Sequence, residues 1–475
     1  MYNDTYTNVR QFLRVPFAQP PVGDLRWEPP QRLPDSSKRI DSTRFGPACP
    51  QYVSTGESMW AEYEPASLLL SIGEADNEGS VAWSSAEDCL SLAIWTPAYA
   101  NRTSKLPVAL FVTGGGGITG GIEVPSQLPA QWVSRSQEHI VITINYRLNI
   151  FGNPKSSALK ETSLTMLDVR AAVEWAYENI EAFGGDPENI MLWGQSQGAA
   201  LTHLYTLAFP DDPLAAKFGI ISQPPSVTIN MSDTTDVWED FHIVAVGLGC
   251  NYGNDSQAEL ECMRQVSWVQ IEEYINSYDG SPQISFGNYI PDEKYIFSNQ
   301  SERYALGKVA RGPAIRSDAS REMAGSQEDM TMEVEGEWIC TAWIDAKRRA
   351  SLGLETYRYE WAGNFSNISP VYYLGAFHWS DLLMIFGSYE IDVGEISDLE
   401  ITTSQTMQDY ILAFLKDPST IGATVGWPAF DSGAANGGLI LEFGNNTAVK
   451  NITGYELEAG CWNSSIPFLI YEPRD

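Results

Sequence analysis

The 475-residue chain is poor in positive charge: 29 lysines and arginines stand against 61 aspartates and glutamates, for a formal net charge of −32. No basic run interrupts that excess, and such a surface repels phosphate backbones and anionic headgroups, which excludes nucleic acid as a partner. Long hydrophobic runs are absent too. None approaches the ~20 apolar residues needed to span a bilayer, and the C-terminal SIPFLIYEPRD ends in charge, not in the apolar tail of a lipid-anchor signal. A soluble protein without stable membrane insertion is expected. Met1 is followed by YNDTYTNVR, without a basic stub and apolar core, so no signal peptide is visible. Histidine is scarce: His139, His203, His242 and His378 are the four in the chain, and a general base of that type has few candidates. Internal repeats and low-complexity linkers are lacking, so residues 1–475 read as one large domain with insertions.

What is present supports a sizeable core, with 43% hydrophobic and 12% aromatic residues. The six cysteines are even in number. Ten Asn-x-Ser/Thr triplets occur, at Asn3, Asn101, Asn230, Asn254, Asn299, Asn364, Asn367, Asn445, Asn451 and Asn463, several of them in Gly/Ser/Asn-rich stretches. Together these predict a secreted or secretory-pathway glycoprotein, against the alternative of a cytosolic protein with accidental sequons and reduced thiols.

LPVALFVTG (106–114) and HIVITINY (139–146) are apolar, β-branched runs bounded by turn residues, as in buried strands of a largely parallel sheet. In SLTMLDVRAAVEWAYENIEAFG (163–184), Met166, Val169, Val173, Ala176, Ile180 and Phe183 recur in steps of three and four, which marks one face of a helix that stops at Gly184-Gly185. NIMLWGQ then reads as a strand and QGAALTHLYTLAF as a helix. Later, TSQTMQDYILAFL reads as a helix and GGLILEFG as a strand. Alternation of this kind predicts an α/β sheet flanked by helices.

Within MLWGQSQGAA, Ser196 lies between Gly194 and Gly198 where a buried strand turns into a helix. A Gly-x-Ser-x-Gly pentapeptide is weak alone, but that context is the geometry of a nucleophile elbow, with the helix N-terminus behind the serine. A serine hydroxyl needs a base, and the base needs orientation. His139 begins an apolar strand, His203 lies two turns along the following helix, and His242 falls in an apolar run; all three read as structural. His378, in the Gly-containing YLGAFHWSDLLMIFG, is the candidate base.

Several separated segments now fit one family. FLRVPFAQPPVGDLRW, SAEDCLSLAIWTP, NYRLNIFG, FGGDPENIMLWGQSQGA and FHWSDLLMIFG together resemble the type-B carboxylesterases, the cholinesterase and fungal lipase group of α/β-hydrolases, over nearly the whole chain. The resemblance implies an α/β-hydrolase fold and a triad in the order Ser, Glu, His: Ser196, an acid within GPAIRSDASREMA, and His378. Glu322 stands at the matching offset from Pro313, with Asp318 as rival, and Met323 replaces the family's glycine after the acid. The resemblance places an oxyanion hole in FVTGGGGITGG, from the N–H groups of Gly115 and Gly116 with that of Gln197. It pairs Cys49 with Cys89, Cys250 with Cys262 and Cys340 with Cys461, and it implies buried ion pairs Arg26–Glu87 and Arg147–Asp186.

This sequence also departs from the family. Gln195 replaces the usual Glu before the serine, and no Trp stands at the choline-binding offset before Cys89, so a quaternary ammonium substrate loses support from charge and cation–π contact. Gly117 replaces an aromatic of the oxyanion loop, and Gln197 and Trp379 stand where smaller residues are usual, which reshapes the acyl pocket. The chain looks short at its N-terminus and between residues 322 and 340. The expectation is a serine hydrolase of a small-molecule or lipid ester, working through an acyl-enzyme with neither metal nor organic cofactor; an acyltransferase or lactone-forming enzyme and an inactive binding protein are the rivals. Oligomeric state is open.

Overall fold

The structure, a computed structural model, describes residues 1–52, 84–225, 228, 237–322, 338–371, 373–391, 394–458 and 461. Ten strands form one sheet: β1 (Val9–Pro16), β2 (Ser91–Pro97), β3 (Leu106–Val112), β4 (Ile140–Ile144), β5 (Gly185–Gln195), β6 (Lys217–Ile221), β7 (Ala314–Ala319), β8 (Thr356–Trp361), β9 (Leu439–Phe443) and β10 (Val449–Thr453). Their spatial order is β1-β2-β4-β3-β5-β6-β7-β8-β9-β10. From β4 across to β9 every neighbour is parallel, while β1, β2 and β10 pair antiparallel at the two edges.

The near-continuous apolar runs of β3, β4 and β5 follow from burial on both faces. Along β3, Ala109 and Phe111 pack into one core cluster while Val108, Leu110 and Val112 pack into the other; in β5, Met191 and Trp193 alternate likewise with Ile190 and Leu192. One face is covered by helices α1 (Leu164–Asn179) and α2 (Gln197–Ala208), the other by α4 (Ser380–Phe386) and α5 (Asp398–Lys416), with α3 (Cys340–Ser351) between in sequence. The predicted stripe is the buried one as far as Ile180, since Met166, Val169, Val173, Ala176 and Ile180 are fully covered, while Phe183, its last member, is half-buried. A 3-10 turn over Ile180–Phe183 ends it, and Gly184 takes φ 99°. The run TSQTMQDYILAFL lies inside α5, which opens with a Ser397–Glu400 capping box. This is the layered parallel arrangement of the α/β-hydrolase fold.

The cysteines form three disulfides, Cys49–Cys89, Cys250–Cys262 and Cys340–Cys461. Arg26 and Glu87 make a buried bidentate pair, with Arg26 Nε 2.6 Å from the carboxylate. The expected Arg147–Asp186 pair is corrected: Arg147 binds Asp168 through Nε (2.8 Å) and Nη2 (2.7 Å). Asp168 projects from the inward face of α1 and is fully buried, whereas Asp186 is partly exposed at the start of β5, where it accepts from Glu188 N–H. A buried guanidinium needs the partner that is equally removed from water.

Of the ten sequon asparagines, Asn230 and Asn463 lie outside the described residues, as do 323–337 of the stretch that looks shortened. Asn101, Asn254, Asn299, Asn364 and Asn451 are exposed, and Asn3 and Asn445 are partly exposed. Asn367 is a correction. Its side chain is 2% exposed and donates to Tyr389 O and Glu400 Oε1, so it is a core asparagine with no room for a glycan.

Candidate active site

Strand β5 ends at Gln195, and the next residue, Ser196, takes φ 55° and ψ −125°, a conformation an L-residue adopts only under constraint, at a cost of roughly 1–3 kcal/mol. The constraint is visible on both sides: Ser196 N–H donates to Ile221 O of β6 (3.0 Å), and Ser196 O accepts from Ala200 N–H at the start of α2 (3.0 Å). The turn is so tight that a Cβ on Gly198 would lie 2.0 Å from Val112 O, which explains the glycine there. Ser196 is left partly exposed at the mouth of the turn.

His378 reaches the same place from the loop before α4. Its partner is set by a short parallel bridge between Arg321 and Phe377, in which Arg321 N–H donates to Ala376 O (3.0 Å). The bridge brings the next residues, Glu322 and His378, side by side. Glu322 is fully buried; its Oε1 accepts from Ala319 N–H (2.6 Å) and its Oε2 lies 2.5 Å from His378 Nδ1. The rival, Asp318, faces Arg358 instead (3.6 Å), and burial pushes its carboxyl up to about 7. Burial likewise raises Asp381, at the start of α4, to about 7, against a hydrogen bond from Tyr359 OH (2.8 Å). The indole of Trp338 packs against the His378 ring with centroids 4.9 Å apart.

The loop after β3 closes the site. A Cβ on Gly114 would fall 3.0 Å from Ser196 Cβ, so the loop runs directly against Ser196. Gly115 takes φ 114°, and a Cβ there would meet Thr119 O at 2.2 Å. Its carbonyl is turned into the loop, accepting from Ile118 and Thr119 N–H, and the Gly117 carbonyl accepts from Asn149 N–H (2.7 Å). Among the described residues, the N–H groups of Gly115, Gly116 and Gln197 donate to no protein acceptor. The Gln197 side chain lies beside the loop and donates to Gly287 O (3.2 Å) and Tyr289 OH (2.8 Å). Trp379 is buried, with φ 68°, edge-on to Phe377.

The remaining histidines sit elsewhere. His139 is buried against Trp132 and Ser136, and burial lowers it to about 3; His203 is buried beside Gln300 and Asp345 and lowered by burial to about 4. His242 is at an edge, 45% exposed and 2.5 Å from Glu259. Sequence reasoning missed three neighbours of the site. Asn149 links the glycine-rich loop after β3 to the buried Glu272 (2.8 Å), Trp338 covers His378, and the Gln195 side chain reaches His378 Nε2 at 3.1 Å. Gln195 is visible in sequence as a lost charge, but its contact is not. No group of His, Cys, Asp or Glu among the described residues is placed to hold a metal, and no described helix is long and apolar enough to cross a membrane.

A largely parallel sheet with helices on both faces, carrying a serine at a strained strand-to-helix turn with a His–Glu contact beside it, is the arrangement of an α/β-hydrolase. Comparison with known proteins narrows the class: the carboxylesterase family model matches residues 1–333, and the chain belongs to that family. It is 37% identical to a chlorogenic acid esterase of Aspergillus niger over 93% of this chain and 89% of that protein. It is 32% identical to secreted lipase 5 of Gibberella zeae over 96% and 90%, and 31% identical to carboxylesterase 1C of Rattus norvegicus over 58% and 47%. The protein is a carboxylic ester hydrolase.

Proposed function

We propose that the chain hydrolyses its ester through an acyl-enzyme on Ser196. His378 Nε2 takes the hydroxyl proton, Ser196 Oγ attacks the carbonyl, and the developing oxyanion is received by the N–H groups of Gly115, Gly116 and Gln197. Glu322 holds Nδ1–H and stabilises the imidazolium that forms. Proton return to the leaving alcohol frees it, and water, activated by the same histidine, releases the acid. The observation that carries this reading is the 2.5 Å contact between His378 Nδ1 and the fully buried Glu322 carboxylate, beside the elbow that presents Ser196.

For the substrate, the similarity to a chlorogenic acid esterase over most of both chains favours chlorogenic acid itself as the first ester to try. The site adds support: Gln197 and Tyr289 place polar groups beside the oxyanion loop, and Trp338 adds an aromatic ring against His378. Three disulfides, exposed sequons and the similarity to a protein named secreted lipase 5 favour a secreted glycoprotein.

The test is hydrolysis of chlorogenic acid and of p-nitrophenyl esters of rising acyl length by the purified protein and its Ser196→Ala variant. Turnover that vanishes in the variant, with wild-type labelling by an organophosphonate, is expected. Activity retained by Ser196→Ala refutes the acyl-enzyme, and turnover of p-nitrophenyl esters without turnover of chlorogenic acid refutes the substrate.

A further inference from the structure

The contact between Gln195 and His378 falls on the atom that the proposed mechanism uses as its base. Glu322 already satisfies Ala319 N–H with Oε1, so Oε2 meets His378 Nδ1 as an acceptor and Nδ1 carries the ring proton. In the neutral ring Nε2 is then a bare lone pair. Only the NH2 end of an amide can answer an acceptor at 3.1 Å, so chemistry alone orients the Gln195 side chain, with Nε2 donating to His378 Nε2. Its oxygen lies toward the oxyanion loop, 2.9 Å from the position of a Cβ on Gly114. The residue is 2% exposed, so little water competes for either end.

We infer that Gln195 is a positioning residue: its buried amide donates to His378 Nε2 and, with Glu322 on Nδ1, fixes the imidazole with Nε2 as the acceptor nitrogen. It yields that lone pair to the Ser196 hydroxyl when acylation begins. The inference rests on the triad reading above and extends it. A donor aimed at Nε2 favours the neutral ring, because a protonated Nε2 would set N–H against N–H. A carboxylate at this position acts the other way, attracting the imidazolium and offering nothing to the bare lone pair. Among the described residues, Glu322 from the β7 side, Asp381 from α4 and the Trp338 ring also face His378, with Asp318 behind Glu322 and paired to Arg358. All of them are common to the variants below.

The experiment is the pH dependence of kcat/KM for p-nitrophenyl acetate, which reports the free enzyme, in wild type, Gln195→Met and Gln195→Glu, with Ser196→Ala as blank. Loss of one hydrogen bond to the neutral ring is expected to move the acid limb up by about 0.5–1 pH unit in Gln195→Met, and Gln195→Glu is expected to move it further. An acid limb in Gln195→Met at or below that of wild type overturns the inference. Should Gln195→Met fail to melt cooperatively, the near-isosteric Gln195→Glu carries the test, and an unmoved limb there overturns it. An inactive wild type, or an active Ser196→Ala, brings down the triad reading itself, a different outcome from an active triad with unmoved limbs.

Discussion

Replacing Glu322 by Gln removes one charge, but the surrounding hydrogen bonds make its effect larger than a charge deletion. One terminal atom of residue 322 must accept from Ala319 N–H, at 2.6 Å in the present structure, and only the amide oxygen can do so. The NH2 group is then forced toward His378 Nδ1, where the carboxylate oxygen now stands at 2.5 Å. An NH2 there requires Nδ1 to be the acceptor, so the ring proton moves to Nε2, the atom that receives the Ser196 proton in the proposed mechanism. The alternative amide orientation sets N–H against the Ala319 N–H in a site with no exposure to water, which costs about 1–3 kcal/mol for the unsatisfied donor alone. A wrong tautomer in a Ser–His–acid site lowers kcat by about 10⁴, the magnitude known for a serine protease, and that is about 5.5 kcal/mol of barrier. The assay is kcat for p-nitrophenyl acetate near pH 7.5 in Glu322→Gln and Asp318→Asn. A loss of about 10³–10⁴ in the first and less than about tenfold in the second is expected, since Asp318 faces Arg358. If Glu322→Gln keeps a tenth or more of the wild-type rate, the orienting role of Glu322 is refuted.

Breaking the buried Arg147–Asp168 pair by Asp168→Asn should lower stability by about 3–5 kcal/mol in urea unfolding, while Asp186→Asn should stay within about 0.5 kcal/mol; equal effects would contradict the pairing. Asp381, raised by burial to about 7, holds its proton in the fold at pH values where the unfolded chain has lost it, so its contribution falls as pH rises from about 4 to about 7. Asp381→Asn should accordingly lose less melting temperature between about pH 5 and 7.5 than wild type does, and an identical slope would show that Asp381 is ionised throughout. Glycopeptide mapping of protein secreted by a eukaryotic host should find sugar at exposed sites such as Asn101, Asn254 and Asn451 and none at Asn367, whose amide is committed to Tyr389 and Glu400.

Much of the fold is local and was therefore legible. The apolar runs of β3 to β5 need no knowledge of their neighbours to read as doubly buried strands, and the spacing of Met166, Val169, Val173 and Ala176 declares which side of α1 is covered. Ser196 was legible for the same reason: the elbow requires small residues at 194 and 198 and a strand-to-helix change within a few residues. His378 needed the family resemblance as well as the scarcity of histidine.

What the sequence by itself determined is thus the set of elements, the elbow at Ser196 and the small list from which the base and acid of the proposed triad are drawn. Tertiary structure decided the partnerships. Asp318 and Glu322 both lie within reach of any plausible alignment, and it is the Arg321–Phe377 bridge that sets Glu322 against His378 while Arg358 on the neighbouring strand takes Asp318. Arg147 binds Asp168 because the helix face, not the spacing along the chain, determines which carboxylate shares its burial. Gln195 reaches His378 across 183 residues of sequence. Strand and helix follow from the periodicity of one segment, but a hydrogen bond between segments depends on ångström-scale placement that only the packed sheet supplies.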